Sequence, residues 1–282
     1  MKNISNKNKK ICTIISDTPY SKDETGEFVG LDPTVEEIDH LSSLFKQIYH
    51  FAPLYNYKPP KSFIKHKKSN IRIIPMIPSG GNFFFNKLRH LLFFPLHILK
   101  FRPYLKKTDI IHFRAPTGFG VLFLPWIYIF WSKKIWIKYG GSWNSNNVPL
   151  TYKFQRWLLR HFPKNAIITL NSSKNKLKGN FFQFLNPCFK DEIIKNNKNI
   201  VHEKNFKNGL NLVFVGRVEK NKGIDDVFKV FQKIEGMKNI NSLKIVGESK
   251  REKYYKEKAA TISPKISILG SLNRKDIFKI YA

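Results

Sequence analysis

The sequence predicts an α/β protein built of two doubly wound parallel-sheet domains, the second of them incomplete. Three observations predict it. Short apolar runs alternate with segments of helical periodicity from Ile11 to Leu185. A polar, Lys- and Asn-rich stretch then covers 189–208, and the alternation restarts at Leu210. Strand–helix alternation of this kind argues a parallel sheet covered on both faces. The reading gives a first domain over 1–188, a linker over 189–208 and a partial second domain over 209–282. An ordinary domain takes roughly 100–150 residues, and the segment from Gly209 falls short of that.

Each element follows from local pattern. Ile11–Ser16 reads as the first strand and is followed by a loop with Gly26 and Gly30. A helix begins at Asp32-Pro33-Thr34, where Thr34 and Glu37 have the spacing of a capping box. Val35, Ile38, Leu41, Phe45 and Ile48 recur at helical spacing, which extends that helix to the strand Tyr49–Ala52. Glu36, Glu37 and His40 fall on its polar, solvated side. Asn70–Pro75 is a strand; Phe83–Tyr104 is helical and broken at Pro95. Asp109–Phe113 is a strand, and a helix then runs through Trp131. Lys134–Lys138 is a strand ended by Gly140-Gly141, Tyr152–His161 a helix, and Ala166–Leu170 and Phe181–Leu185 strands. In the second half Leu210–Val215, Ser242–Val246 and Lys265–Leu269 are strands. Ile224–Ile234, Glu252–Thr261 and Arg274–Tyr281 are helices.

Composition narrows the function classes. The chain of 282 residues is 42% hydrophobic, enough for a real core, with 50 Lys and Arg against 20 Asp and Glu. A net +30 attracts nucleotides, nucleic acid or an anionic membrane surface. Codon drift toward Lys, Asn, Ile and Phe accounts for part of it. Cys12 lies in an apolar run and reads as a core residue; Cys12 and Cys188 give no disulfide framework, so a reducing compartment is expected. The opening lacks the long apolar run of a signal peptide. The longest apolar stretch, Val121–Trp131, is about half of the ~20 residues a spanning helix needs. No helix-turn-helix, zinc spacing or aromatic RNA-binding signature occurs, so nucleic acid is not an expected partner. No Walker A loop, G-x-G-x-x-G, HExxH or G-x-S-x-G occurs either.

The segment that carries chemistry is Leu212-Val213-Phe214-Val215-Gly216-Arg217-Val218-Glu219-Lys220-Asn221-Lys222-Gly223-Ile224. It reads strand, loop, helix. Gly216 permits a tight turn or close approach at the strand's carboxyl end. Arg217 offers a planar fork for two phosphate oxygens, Lys222 a point charge, and the helix start free N–H groups. Together they suit a pyrophosphate without any metal. Asp225 and Asp226 oppose this reading, because they repel phosphate.

This segment resembles the phosphate-binding signature of glycosyltransferase family 4, with Gly216-Arg217 and Lys222-Gly223 matching and Asn221 standing where that family often has Glu. Leu243–Glu248, with Gly247 and Glu248, resembles the family's next strand and nucleotide-side turn. Ile266–Gly270 resembles its third strand, and Ile277–Ala282 the helix before its catalytic glutamates, which would follow Ala282. Asp32-Pro33-Thr34 resembles its first helix start, and Asn186-Pro187-Cys188 its domain-linking segment. The resemblance implies a GT-B fold with two Rossmann-like domains and retaining transfer of a sugar from a nucleotide-diphosphate sugar to a glycan or lipid-linked acceptor. Arg217 and Lys222 would neutralise the leaving diphosphate, with Gly216, Gly223, Gly247 and Glu248 on the donor. No cofactor and no metal are expected. Many relatives carry a His after the fifth strand of the first domain; here Gly140, Gly141 and Ser142 stand there as sugar or acceptor contacts, or as a tight turn. Gly30 and His112 join them as candidate contacts, although a core His112 is the commoner outcome.

Phe83–Lys107 interleaves aromatics with Lys87, Arg89, Lys100, Arg102, Lys106 and Lys107, which suits docking on an anionic bilayer or plain packing on the sheet. The expectation is a cytoplasmic enzyme, peripheral at the inner face of a bacterial membrane, building a surface polysaccharide or glycolipid. The rival is a truncated, inactive relative acting as a basic membrane- or polyanion-binding module.

Overall fold

The computed structural model describes residues 9–78, 84–162, 166–171, 179–184, 191–196 and 206–281. Contacts divide the chain into two compact units. One comprises 1–59 and 64–188, the other 60–63 and 189–282.

The first unit is built on seven strands: β1 (Lys10–Ile15), β4 (Phe45–Pro53), β6 (Ile71–Met76), β7 (Ile110–Ala115), β8 (Lys134–Tyr139), β9 (Ala166–Leu170) and β10 (Phe181–Gln183). They lie in the order β10-β9-β8-β7-β1-β4-β6, and every adjacent pair is parallel. The order runs outward in both directions from β1. The carboxyl ends of β1 and β7 therefore flank a topological switch point, where ligands bind in open α/β sheets.

Side chains alternate across this sheet because the strand period is two. Ile15, Phe51, Ile111, Phe113, Ile135 and Ile137 face one large core. That core is closed by Phe101 of α2 (Phe84–Leu105), Phe123 and Ile127 of α3 (Gly120–Phe130) and Leu159 of α4 (Leu150–His161). Cys12, Ile14 and Ile48 face the other side and pack on Ile38 of α1 (Asp32–Ser42). Burial pushes the Cys12 thiol up to about 12, so it is an inert core group.

Several local expectations give way. α1 ends at Ser42, and Phe45 and Ile48 lie on β4. Their spacings, four from Leu41 and then three, imitated a helix; on β4 the two reach one core because the pairing with β1 shifts register between Phe45 and Gln47. The capping box is not formed. Leu31 is the N-cap and no side chain caps the helix. Thr34 is buried in the first turn, and Glu37 forms ion pairs with the sheet instead of lying solvated. Glu36 likewise pairs with Lys67. Pro95 and Pro103 sit inside α2 without ending it. The loop with Gly26 and Gly30 contains β2 (Tyr20–Lys22) and β3 (Phe28–Leu31), which join β5 (Phe63–Lys65) in a small separate sheet. Within the expected linker, Asp191–Asn196 forms a short helix, α5. Asn186-Pro187-Cys188, and the side chains of Phe83, Phe84, Phe85, Lys87 and Arg89, fall outside the described residues.

In the second unit β11 (Leu210–Val215), β12 (Ile240–Val246) and β13 (Ile266–Gly270) make a parallel sheet in sequence order. α6 (Ile224–Ile234), α7 (Glu252–Ile262) and α8 (Arg274–Tyr281) accompany it. Ile224, Phe228 and Phe231 of α6 and Tyr255 and Ala259 of α7 close its core over Leu243 and Ile245. Val213 and Val215, on the alternate positions of β11, are 37% and 39% exposed. Each unit is thus a parallel sheet with accompanying helices, seven-stranded in the first and three-stranded in the second.

Candidate functional site

In the second unit, the loop after β11 is fixed to the loop after β12 by backbone hydrogen bonds. Gly216 N–H donates to the Val246 carbonyl at 2.9 Å, and Val218 N–H to the Glu248 carbonyl at 2.9 Å. The Ser249 hydroxyl donates to the Val218 carbonyl at 2.9 Å, and Gly247 N–H to the Gly270 carbonyl at 2.8 Å. These bonds gather Gly216, Arg217, Gly247 and Glu248 at the carboxyl edge of the sheet. The approach is so close that a Cβ on Gly247 would lie 1.8 Å from the Gly216 carbonyl oxygen. Gly247 also has φ +151°, a conformation that favours glycine.

Gly223 ends the 3₁₀ turn Lys220–Lys222 and caps α6, with φ +78° and ψ +17°. Its carbonyl accepts from Asp226 and Val227. No side chain caps this helix start, so the Ile224 and Asp225 amides keep their donors. Arg217 and Lys222 are both exposed on this loop. Arg217 lies 3.5 Å from Glu219, an exposed pair of the kind worth little in water. Asp225, which by sequence opposes phosphate, is held by Lys258 at 2.6 Å. The Lys258 hydrogen bond keeps its carboxyl below the ordinary range, so its charge is already matched.

In the first unit, the sheet's carboxyl edge carries the predicted Gly140, Gly141 and Ser142. Gly140 N–H donates to the Ala115 carbonyl at 2.7 Å, tying the end of β8 to the end of β7 beside the cis Ala115–Pro116 bond. A Cβ on Gly141 would lie 2.9 Å from the Pro116 ring, so this turn admits no side chain there. Ser142 is exposed just beyond it. Two buried polar residues of α4 hold these loops. The Gln155 amide accepts from Thr117 N–H at 3.2 Å and donates to its carbonyl at 2.7 Å. Arg156 donates to the carbonyls of Trp143 at 2.7 Å and Ser145 at 2.8 Å.

His112 is not at the strand end, because β7 continues to Ala115. It is fully buried and stacked on Trp136 at 3.8 Å, and neither ring nitrogen has a partner among the described residues. Burial, helped by the nearby Arg114 charge, pushes its pKa down to about 3, so the ring is neutral. Arg114 and Lys138, nearer the edge, converge on Glu37 of α1 at 2.9 and 2.6 Å. Burial opposes the Glu37 charge, but these two cations outweigh it and hold the carboxyl below its usual value.

Gly30 is buried on β3, where a Cβ would meet the Tyr20 ring at 2.6 Å. It seats Tyr20 in a buried hydrogen-bonded chain that sequence reasoning missed. Asp39 accepts from His66 Nδ1 at 2.6 Å. His66 Nε2 then accepts from the Tyr20 hydroxyl at 2.8 Å. The Tyr20 oxygen lies 3.3 Å from His50 Nδ1, and His50 Nε2 is 2.7 Å from the Ser16 hydroxyl. Donation from His66 Nδ1 to the Asp39 side chain assigns one tautomer to each histidine along the chain, so the proton positions follow as an inference. Burial lowers the pKa of both His50 and His66. These five residues lie on five separate segments and form no motif; only the tertiary contacts assemble them.

Among the described residues, no group of three or more His, Cys, Asp or Glu is placed to hold a metal ion, and no helix is long and apolar enough to cross a membrane.

Residues 194–282 match the profile of the family described as Glycosyl transferases group 1. The match covers most of the second unit and none of the first. No curated protein matches the sequence. Solved structures resemble the chain along nearly its whole length. Sucrose-phosphate synthase from Thermosynechococcus elongatus superposes with a TM-score of 0.63 at 13% identity, over 96% of this chain and 73% of that one. WaaG, a glycosyltransferase involved in lipopolysaccharide biosynthesis, gives 0.52 at 12%, over 95% and 72%. UDP-N-acetylglucosamine 2-epimerase from Rickettsia bellii gives 0.54 at 12%, over 97% and 72%. At such identities the likeness shows the fold, and the presence of an epimerase beside two synthetic enzymes shows why fold alone does not select the reaction.

Proposed function

We propose that this chain is a retaining glycosyltransferase of family 4 type, moving a sugar from a nucleotide-diphosphate sugar to a glycan or lipid-linked acceptor in the synthesis of a surface polysaccharide or glycolipid. The observation that carries it is the Gly216–Gly223 loop. It stands at the carboxyl edge of a parallel sheet, bears three exposed cations, Arg217, Lys220 and Lys222, and opens onto an uncapped helix start. The group 1 match falls on the same unit.

In this reading Arg217 and Lys222 stabilise the negative charge that develops on the departing diphosphate, with the amides of the α6 start adding donors. Arg217 exchanges its weak contact with Glu219 for the phosphate. Gly216 and Gly247 let the backbone approach the donor, while Glu248 and Gly223 frame it. The leaving phosphate oxygen assists removal of the acceptor hydroxyl's proton, so no metal or separate strong base enters the step. Ser142 and the Gly140-Gly141 turn border the acceptor side of the first unit. The protein works as a peripheral enzyme at the inner face of the cytoplasmic membrane.

Calorimetry with a panel of nucleotides tests the reading. Nucleoside diphosphates bind, and Arg217→Ala or Lys222→Ala weakens them about ten- to a hundredfold, the size of a lost charge-assisted contact. The bare nucleoside loses little. Equal losses for diphosphate and nucleoside contradict the phosphate role. Chelation by EDTA leaves diphosphate binding unchanged; a loss on chelation refutes the metal-free reading. The rival, a basic module without catalysis, predicts polyanion binding that these two substitutions change no more than other surface lysines do.

A further inference from the structure

One flank of the first unit leaves large apolar side chains uncovered. Leu92, Leu96 and Leu99 of α2 are 65%, 51% and 63% exposed, and Ile129 and Phe130 of α3 are 70% and 69% exposed. Spacings of four and three place the leucines along one side of α2. The two helices meet at an open groove of about 530 Å³. Leu99, Trp126, Phe130 and Trp131 give it an aromatic and aliphatic lining, and Arg102, Lys106 and Lys133 line it as well. Isolated exposed leucines are ordinary; a run of them joined to an aromatic groove is an interaction surface.

The charge around this flank identifies its occupant. Neither α2 nor α3 contains an acidic residue, and from His40 to Lys190 the sequence has a single one, Asp109. Its carboxylate is engaged by Ile11 N–H at 2.9 Å. A protein interface is usually rimmed by both signs of charge. A surface that is apolar, Trp-bearing and rimmed by cations alone matches an anionic lipid bilayer, whose acyl boundary takes the apolar groups while its headgroups take the cations. No described helix spans a membrane, so the contact lies in the interface plane.

We propose that this flank docks the protein on an anionic bilayer. Leu92, Leu96, Leu99, Ile129 and Phe130 enter the headgroup–acyl boundary, and Arg102 and Lys106 sit on anionic headgroups, while Lys133 donates to the Thr108 carbonyl at 2.6 Å. The proposal specifies the surface behind the peripheral membrane association proposed above and rests on that part of the reading; it makes no use of the donor loop in the other unit.

The test is co-sedimentation of the full chain with vesicles of phosphatidylcholine mixed with phosphatidylglycerol, set against phosphatidylcholine alone. The chain binds the anionic vesicles, and binding weakens as salt rises. Leu96→Glu combined with Leu99→Glu lowers the partition coefficient by roughly tenfold or more, and Lys106→Ser lowers it by roughly fivefold. All three sites are exposed, so circular dichroism and the thermal midpoint stay as in the parent chain. Unchanged binding by the double variant, or equal binding to neutral vesicles, overturns the proposal. So does a concentration-dependent dimer that Leu96→Glu and Leu99→Glu abolish, because the face is then covered by a second copy. Failure of nucleotide binding with vesicle binding intact removes the transferase reading and leaves the docking surface standing.

Discussion

The two units place their polar chemistry in opposite ways. In the second unit the informative groups are exposed on short loops. Arg217, Lys222 and Glu248 reach solvent, and what is rigid is the glycine backbone beneath them. In the first unit the informative groups are buried or largely so. Glu37, Arg114 and Lys138 form an ion cluster, and Ser16, His50, Tyr20, His66 and Asp39 form a hydrogen-bonded chain. Exposed cations on a fixed loop suit a charged ligand that must enter and leave. Buried polar networks are costly to leave unsatisfied and so fix one geometry of a sheet edge. On the proposed reading, the second unit carries the ligand chemistry and the first supplies positional precision.

The sharpest way to break the comparison is at Gly247. An alanine there would drive its Cβ onto the Gly216 carbonyl, a backbone contact that no rotamer relieves. Gly247→Ala should cost about 3–5 kcal/mol and abolish nucleotide binding, read by denaturant unfolding and calorimetry. A near-silent substitution would show that the two loops are not held together as described.

Acid should separate the units next. His50, His66 and His112 are buried with lowered pKa values, so the unfolded chain binds protons that the folded chain refuses. Stability is therefore intact above about pH 6.5, the unfolded histidine value. It falls as pH drops from there, toward about 3 for His112. The slope approaches roughly 1.4 kcal/mol per pH unit for each such histidine. The described part of the second unit contains no histidine. Amide exchange followed from pH 7 to 5 should loosen the first unit selectively; parallel loosening of both refutes the assignment.

Glu37→Gln should come third, at about 2–3 kcal/mol, because it leaves Arg114 and Lys138 largely buried without their carboxylate. Urea unfolding measures it. Lys258→Ala should be smallest, below about 1 kcal/mol, since the Asp225 pair is partly exposed. Its sharper readout is affinity: an uncompensated Asp225 at the α6 start should weaken diphosphate binding a few-fold, and unchanged affinity would place that carboxylate away from the ligand.

The sequence by itself determined the parallel α/β architecture. β9, β11, α6 and α8 carry the boundaries read from it, because apolar periodicity and glycine punctuation are local signals that these elements obey. The strand–loop–helix setting of Gly216–Gly223 was legible too, because it lies within eight consecutive residues. Only the tertiary structure decided that Phe45 and Ile48 belong to β4, since their spacing of three suits a helix and only the shifted pairing with β1 seats both on one strand. It alone turned Glu37 from a solvated helix residue into the anchor of two cations, moved His112 inside β7, and gave Gly30 its task of seating Tyr20. Those outcomes depend on pairing across dozens of residues, and a pairing energy between distant segments leaves no mark on either segment's own pattern.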